Sequence, residues 1–331
     1  MIPIEPGMKV AFQAPPEPTN EQIEFVVRIG APYVVLWTDV PKASSDYYAG
    51  CKAKYHEAGI KVYGFGNVNV HNQPDITLGL EGQDAKIEEY KQHIRNLGKA
   101  GIPYTTYAHM ANGIWSTERE TVRGGAPARG FNLDTARAGH WYKTEYTLPL
   151  SHGRKYSEEE IWKHFEYFIR QVAPVAEEAG VRIGIHPDDP PVPELAGIPR
   201  CIFGSFEGYR RALEIADSPN VGVCLCVGCW LEGGELMGKS VEDTIKYFGA
   251  QNKLFKIHLR NITRPLPHFT ETFLDDGYGD MYRVVKTLQE VDFQGVIIAD
   301  HIPEMAEDRR VGAAWSVGYI KALVQSAESE A

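Results

Sequence analysis

Short β-prone runs alternate with helical patterns eight times along this chain, and that rhythm restricts its fold more than any other feature. Apolar runs at residues 8–13, 33–37, 61–68, 104–109, 182–186, 221–226, 254–260 and 295–300 read as strands. Helical spacing follows at 20–29, 47–58, 85–100, 157–179, 206–215, 240–248, 280–291 and 313–326. In the longest of these, Ile161, Phe165, Phe168, Val172 and Val175 share one face, and Gly180 stops the helix. Strands separated by helices make a parallel sheet. Eight such units in 331 residues predict one α/β domain spanning the chain, a closed (β/α)8 TIM barrel. An open dinucleotide-binding sheet fits less well, because no Gly-x-Gly-x-x-Gly follows the first strand.

Residues 110–156 break the rhythm. They separate the fourth strand from its helix by far more than an ordinary connection. The segment carries Trp115, Arg119, Arg123, Arg129, Arg137, His140, Trp141 and Tyr142. Loops at that end of a barrel rim the active site, so the insertion reads as a lid or an oligomer contact. A mobile surface excursion is the plainer alternative.

Charge and cysteine usage narrow the class. Lys and Arg total 34 against 44 Asp and Glu, a formal charge of −10, which argues against a nucleic-acid partner. No apolar run is long enough for a membrane helix, and the first residues lack a basic flank and apolar signal core, so the expectation is cytoplasmic. Five cysteines, three of them at 224, 226 and 229, do not form a disulfide framework.

Catalytic groups of a TIM barrel sit at the C-terminal ends of its strands. Those ends carry His186, Cys226, His258 and Asp300 on strands five to eight. Strict alternation turns Ile183, Ile185, Val223, Leu225, Phe255, Ile257, Leu259, Ile297 and Ala299 outward. Gly184, His186, Cys224, Cys226, Lys256, His258, Arg260, Ile298 and Asp300 then face the axis. Two imidazoles, a thiol and a carboxylate aimed at one point suit a divalent metal. Any one of these taken alone is more often a core residue; the conjunction of four carries the reading. A zinc knuckle built from Cys224, Cys226 and Cys229 is the competing metal site, and its spacing matches no two-pair motif.

A family resemblance lies on the same residues. His186-Pro187-Asp188-Asp189-Pro190-Pro191 and Gly197-Ile198-Pro199-Arg200 resemble the signature of the mannonate dehydratases. So do Leu225-Cys226-Val227-Gly228, Ile257-His258-Leu259-Arg260-Asn261, Phe269-Thr270-Glu271, Gly279-Asp280-Met281 and Asp300-His301, in order over roughly residues 90–325. The resemblance implies a xylose-isomerase-like barrel, a manganese-type ion, and His186, Cys226, His258 and Asp300 as its ligands. Zinc or cobalt also suits that donor set. It implies dehydration of D-mannonate, or a close analogue, to 2-keto-3-deoxy-D-gluconate. The chain departs from the family pattern at Ile298-Ala299-Asp300-His301-Ile302, where Arg-Pro-Asp-His-Gly is usual, and at Leu274, where a histidine is expected.

Dehydration needs stabilisation of an enediolate and protonation of the departing hydroxide. His301 is the candidate acid or base, and Arg260 a candidate fork for the substrate carboxylate. Lys256, inward and below His258, is either a catalytic amine or one half of a structural ion pair. Asp188, Asp189, Glu271, His71, Trp115 and Arg123 are candidates for contacting a sugar acid; the bland roles are turn, rim or packing residues. The chain is expected to form a homo-oligomer. Two alternatives stand beside the lyase: a metal-dependent sugar isomerase or epimerase on the same barrel, and a sugar-binding barrel without turnover.

Overall fold

A computed structural model describes residues 1–330. Eight parallel strands form its centre: β1 (Lys9–Ala14), β2 (Tyr33–Thr38), β3 (Lys61–Asn67), β4 (Tyr104–Tyr107), β5 (Arg182–Ile185), β6 (Val221–Cys226), β7 (Leu254–Leu259) and β8 (Val296–Ala299). The principal helices alternate with them: α1 (Asn20–Arg28), α2 (Ser45–His56), α3 (Gln83–Lys99), α4 (Glu158–Ala179), α5 (Phe206–Ala216), α6 (Val241–Gly249), α7 (Met281–Glu290) and α8 (Arg309–Ser329). The hydrogen-bonded order is β3-β2-β1-β8-β7-β6-β5-β4. The two end strands β3 and β4 pack side by side, so the sheet curls into a nearly closed TIM barrel.

Local chemistry sets the helix limits. In α4 the Ser157 hydroxyl accepts from the Glu160 N–H at 3.2 Å, while the Glu160 carboxylate accepts from the Ser157 N–H at 2.8 Å. That capping box satisfies two N–H groups the helix cannot pair itself. Gly180 ends the helix at φ 70°, a backbone region where it carries no Cβ penalty. The face through Ile161, Phe165, Phe168, Val172 and Val175 is buried, each large side chain contributing about 1.5–3 kcal/mol.

The barrel interior has two layers. Its floor is apolar: Ala11, Val35, Tyr63, Tyr104, Phe255, Val296 and Ile298 form one cluster. The layer above is polar and holds the functional groups. Strict alternation fails at one predicted position. The β6–β7 register pairs Val223 with Leu254 but Cys224 with Lys256, so Phe255 is an extra, bulged residue. It joins the floor instead of facing the helices, while Lys256 and His258 keep their inward aim. Tyr63 is bulged out of the β2–β3 register in the same way, and its hydroxyl donates to the Phe255 carbonyl.

The long insertion is laced into the structure by short antiparallel strands. Ile114–Ser116, Ala138–Trp141 and Thr144–Thr147 make one small sheet. Gly130–Asn132 pairs with His268–Thr272, which pairs with Asn261–Ile262 after β7. A separate core of Trp115, Phe131, Ala136, Val192, Leu195, Ala196, Ile262 and Phe269 holds this layer over the barrel mouth. Among the described residues, no helix is long and apolar enough to cross a membrane.

Candidate metal centre

His186 follows β5 directly, Cys226 and His258 lie on β6 and β7, and Asp300 follows β8. One donor atom from each lies within 4.8 Å of the other three. His186 Nε2 is 3.2 Å from His258 Nδ1, Cys226 Sγ is 3.8 Å from Asp300 Oδ2, and His258 Nδ1 is 3.7 Å from the same oxygen. His258 and Asp300 retain 12% and 17% side-chain exposure, so the cluster opens toward the mouth.

The groups around the cluster prepare these atoms as donors. His186 Nδ1 lies 2.7 Å from the Pro187 carbonyl, which only accepts, so the proton sits on Nδ1 and the Nε2 lone pair faces the centre. Burial opposes ionisation of Cys226, yet hydrogen bonding from Cys229 and the Arg260 charge, with the His186 and His258 rings beside it, hold its thiol well below the usual range. The Cys229 N–H donates to Cys226 Sγ at 3.5 Å. Burial likewise opposes the Asp300 charge, and His301, His258 and Arg260 overcome it.

Arg260 lies two residues beyond His258, on the loop side of the four donors. Its side chain has no exposure. Nη1 reaches Glu271 at 2.9 Å and Asp189 at 3.2 Å; Nη2 reaches Glu232 at 2.7 Å and Cys229 Sγ at 3.2 Å. The fork is thus committed to the protein's own groups. Gly228 permits this, since a Cβ there would overlap Arg260 Nε. Arg129, from the insertion, donates to Glu271 at 2.7 Å and Asp189 at 2.6 Å. Burial raises the Asp189 and Glu271 carboxyls, and the two guanidiniums, with His301 on Glu271, bring both below the usual range. Burial and the neighbouring Asp189 charge push the Glu232 carboxyl above that range, against the pull of Arg260 and Arg129.

His301 sits at φ 47° immediately after Asp300. Its Nδ1 lies 2.8 Å from Glu271 Oε1 and its Nε2 3.7 Å from Asp300 Oδ1. Burial lowers its pKa, but Asp300 and Glu271 more than compensate and raise it to about 9. Both Asp189 oxygens are taken by the two arginines, whereas Glu271 meets Arg129, Arg260 and His301 through Oε1 alone. Burial raises Asp188 to about 6 against the pull of Arg200. Lys256 is fully buried with no partner on Nζ among the described residues; burial lowers its pKa, opposed by Cys224, Asp300 and Cys226.

Of the remaining expected contacts, His71 lies at the mouth: its ring stands 5.0 Å from Trp37 and 4.8 Å from Trp141. Trp115 does not reach the site. It is fully buried in the insertion core, and its Nε1 donates to the Asn112 carbonyl at 3.1 Å. Arg123 is at the surface, paired through both Nη atoms with Asp275 at 2.9 and 3.1 Å and stacked over Phe273. Sequence reasoning noted Arg129 only as part of the insertion and did not single out Glu232. Their only signal is a charged residue inside an apolar segment, Glu232 following Cys229-Trp230-Leu231.

An eight-stranded barrel with a polar cluster at the ends of β5 to β8 defines a xylose-isomerase-like protein, and comparison with known proteins agrees. A structure titled L-ribulose 3-epimerase superimposes with a TM-score of 0.64 at 11% identity, covering 98% of this chain and 96% of that one, which shows the shared fold. The D-mannonate dehydratase family model matches residues 47–329. Mannonate dehydratase of Streptococcus suis is 33% identical over 269 residues, 76% of this chain and 72% of that protein. Its counterpart in Thermotoga neapolitana is 30% identical over 316 residues, 84% and 85% of the two chains. A crystal structure of the mannonate dehydratase from Streptococcus suis serotype 2 superimposes with a TM-score of 0.83 at 29% identity, covering 98% and 95%. This chain belongs to the mannonate dehydratase family.

Proposed function

We propose that the protein dehydrates a sugar acid, D-mannonate or a close analogue, to the 2-keto-3-deoxy acid, with a divalent ion held by His186, Cys226, His258 and Asp300. The observation carrying this reading is the convergence of those four donors within 4.8 Å, with His301 beside them. Donors of this kind bind at about 2.0–2.3 Å, and four around one centre fall within the observed mutual separations. The set is mixed, two nitrogens with one sulfur and one oxygen, and fits manganese, zinc or cobalt.

When bound, the ion supplies positive charge to a carboxylate or hydroxyl oxygen of the substrate. The chain supplies the rest. Glu271 accepts from His301 Nδ1 and fixes that ring, leaving Nε2 beside Asp300 and the cluster. Glu271, bonded to Nδ1, favours the protonated ring, which makes His301 the group suited to give up a proton. Once the alpha proton has been abstracted and its electron pair lies in the enediolate, that pair forms the new carbon–carbon double bond as the neighbouring C–O bond breaks, and His301 protonates the departing hydroxyl, which leaves as water. Arg129 and Arg260 hold Glu271 ionised and keep it facing His301. The insertion layer covers the mouth and limits water.

The test is a panel of sugar acids incubated with protein and added manganese, read for 2-keto acid. Formation of keto acid from D-mannonate that is lost in His186→Ala and His258→Ala supports the reading. Interconversion of neutral ketoses with no keto acid from any acid overturns it.

A further inference from the structure

We infer that His71 and Trp141 form a subsite for one hydroxyl of a polyhydroxy chain, on the side of the mouth where β2 and β3 end. This rests on the sugar-acid reading above and adds where one hydroxyl of that acid is held.

His71 Nδ1 lies 3.2 Å from the Thr106 carbonyl. A carbonyl only accepts, so Nδ1 carries the ring proton and Nε2 presents a lone pair. Among the described residues Nε2 has no hydrogen-bond partner. The ring is 6% exposed, and the direction of its pKa shift, down to about 3 through burial and the nearby His186, keeps it neutral.

Trp141 supplies the complement. Its ring centroid lies 4.8 Å from that of His71, tilted by 41°. Its Nε1 is buried and has no acceptor among the described residues. An indole N–H withdrawn from water without an acceptor is costly. A donor and an acceptor without protein partners, on adjoining rings, match a group that both accepts and donates. A hydroxyl does both; a carboxylate cannot donate to Nε2, and an ammonium cannot accept from Nε1. The aromatic walls favour a hydroxyl carried on carbon. Trp37 stands edge-on to His71 at 5.0 Å and lies across Gly66, where a Cβ would come within 2.6 Å of its ring.

The position of Trp141 is built. It ends the strand Ala138–Trp141, paired with Ile114–Ser116 over the buried Trp115. The following Tyr142 turns at φ 54°, and its hydroxyl donates to Asp39 at 2.6 Å, anchoring the hairpin to the loop after β2. The insertion therefore delivers one indole N–H to the side of the mouth where β2 and β3 end.

The experiment is calorimetric binding to the manganese-loaded protein of a ladder of 2-hydroxy acids: glycerate, erythronate, arabinonate and D-mannonate. Affinity is expected to step up by about tenfold once the chain is long enough to reach the pair. Trp141→Phe keeps the ring and loses the N–H; it removes the step and leaves glycerate binding and metal content unchanged. His71→Gln removes the same step, and the double variant is no worse than either single one, because one hydroxyl is shared. A step that survives Trp141→Phe overturns the subsite and leaves the dehydratase reading standing. A step lost in Trp141→Phe, with no acid dehydrated, supports the subsite and overturns the dehydratase. If no member of the ladder binds, the subsite is overturned, the space holding only water.

Discussion

Arg260 Nη2 lies 2.7 Å from Glu232 Oε1, and neither side chain has any exposure. The pair anchors a buried lattice in which two guanidiniums, Arg129 and Arg260, face Asp189, Glu232 and Glu271 on the loop side of the four converging donors. Removing one partner of a buried pair leaves a charge uncompensated, which costs about 3–5 kcal/mol. Arg260→Met is therefore expected to lower unfolding stability by that order, read by urea denaturation. Glu232→Gln should cost less, because the amide oxygen still accepts from Arg260 while Asp189 and Glu271 still face the guanidinium. Equal losses in the two variants would contradict the reading that the guanidinium, shared by three carboxyl groups, holds the lattice together.

Glu271 is expected to act on turnover through His301. Glu271→Gln removes the carboxylate that holds the ring and raises its pKa. A fall in kcat of about a hundredfold is expected, with KM and metal content near wild type. His301→Gln should fall at least as far. A Glu271→Gln enzyme that keeps wild-type kcat would remove His301 as the proton donor.

Acid sensitivity has a traceable component in His93. It is buried, with Nδ1 2.8 Å from the Tyr48 hydroxyl and Nε2 3.2 Å from the Thr105 hydroxyl, and burial lowers its pKa to about 3. Unfolded, it titrates near 6.5. A depressed histidine contributes stability that is fully present above pH 6.5. As pH falls toward 3 the unfolded chain takes up the proton first, and about 1.4 kcal/mol is lost per pH unit. His93→Gln should be less stable at pH 7.5 yet lose less between pH 6 and pH 4, as read by urea denaturation at each pH. Parallel losses in the two proteins would show that His93 does not carry this linkage.

The eight strand–helix units were readable because each repeats a local period: Ile161 to Val175 keep 3.6-residue spacing, β5, β6 and β8 alternate up to their polar ends, and β7 does so from Lys256 onward. The convergence of His186, Cys226, His258 and Asp300 followed from topology, since parallel strands of one barrel end at one rim. What local pattern cannot carry was missed. Strands of three residues such as Gly130–Asn132 exist only through pairing with His268–Thr272, more than a hundred residues away. The Phe255 bulge is a register property of two strands and leaves no mark in either alone. Trp115 and Arg123 were read as substrate contacts from residue type, which does not say which face of an insertion they occupy. Arg260 was legible as inward, but its role depended on Glu232 and Arg129, whose proximity is purely tertiary.

The most direct measurement is metal stoichiometry by mass spectrometry of protein purified after manganese loading and extensive dialysis. The wild type should retain about one divalent ion per chain, and His258→Ala and Asp300→Ala well under a tenth of that, with unchanged far-ultraviolet circular dichroism. Wild-type protein that holds no ion, or variants that retain it in full, would contradict the four-donor centre and the dehydratase built upon it.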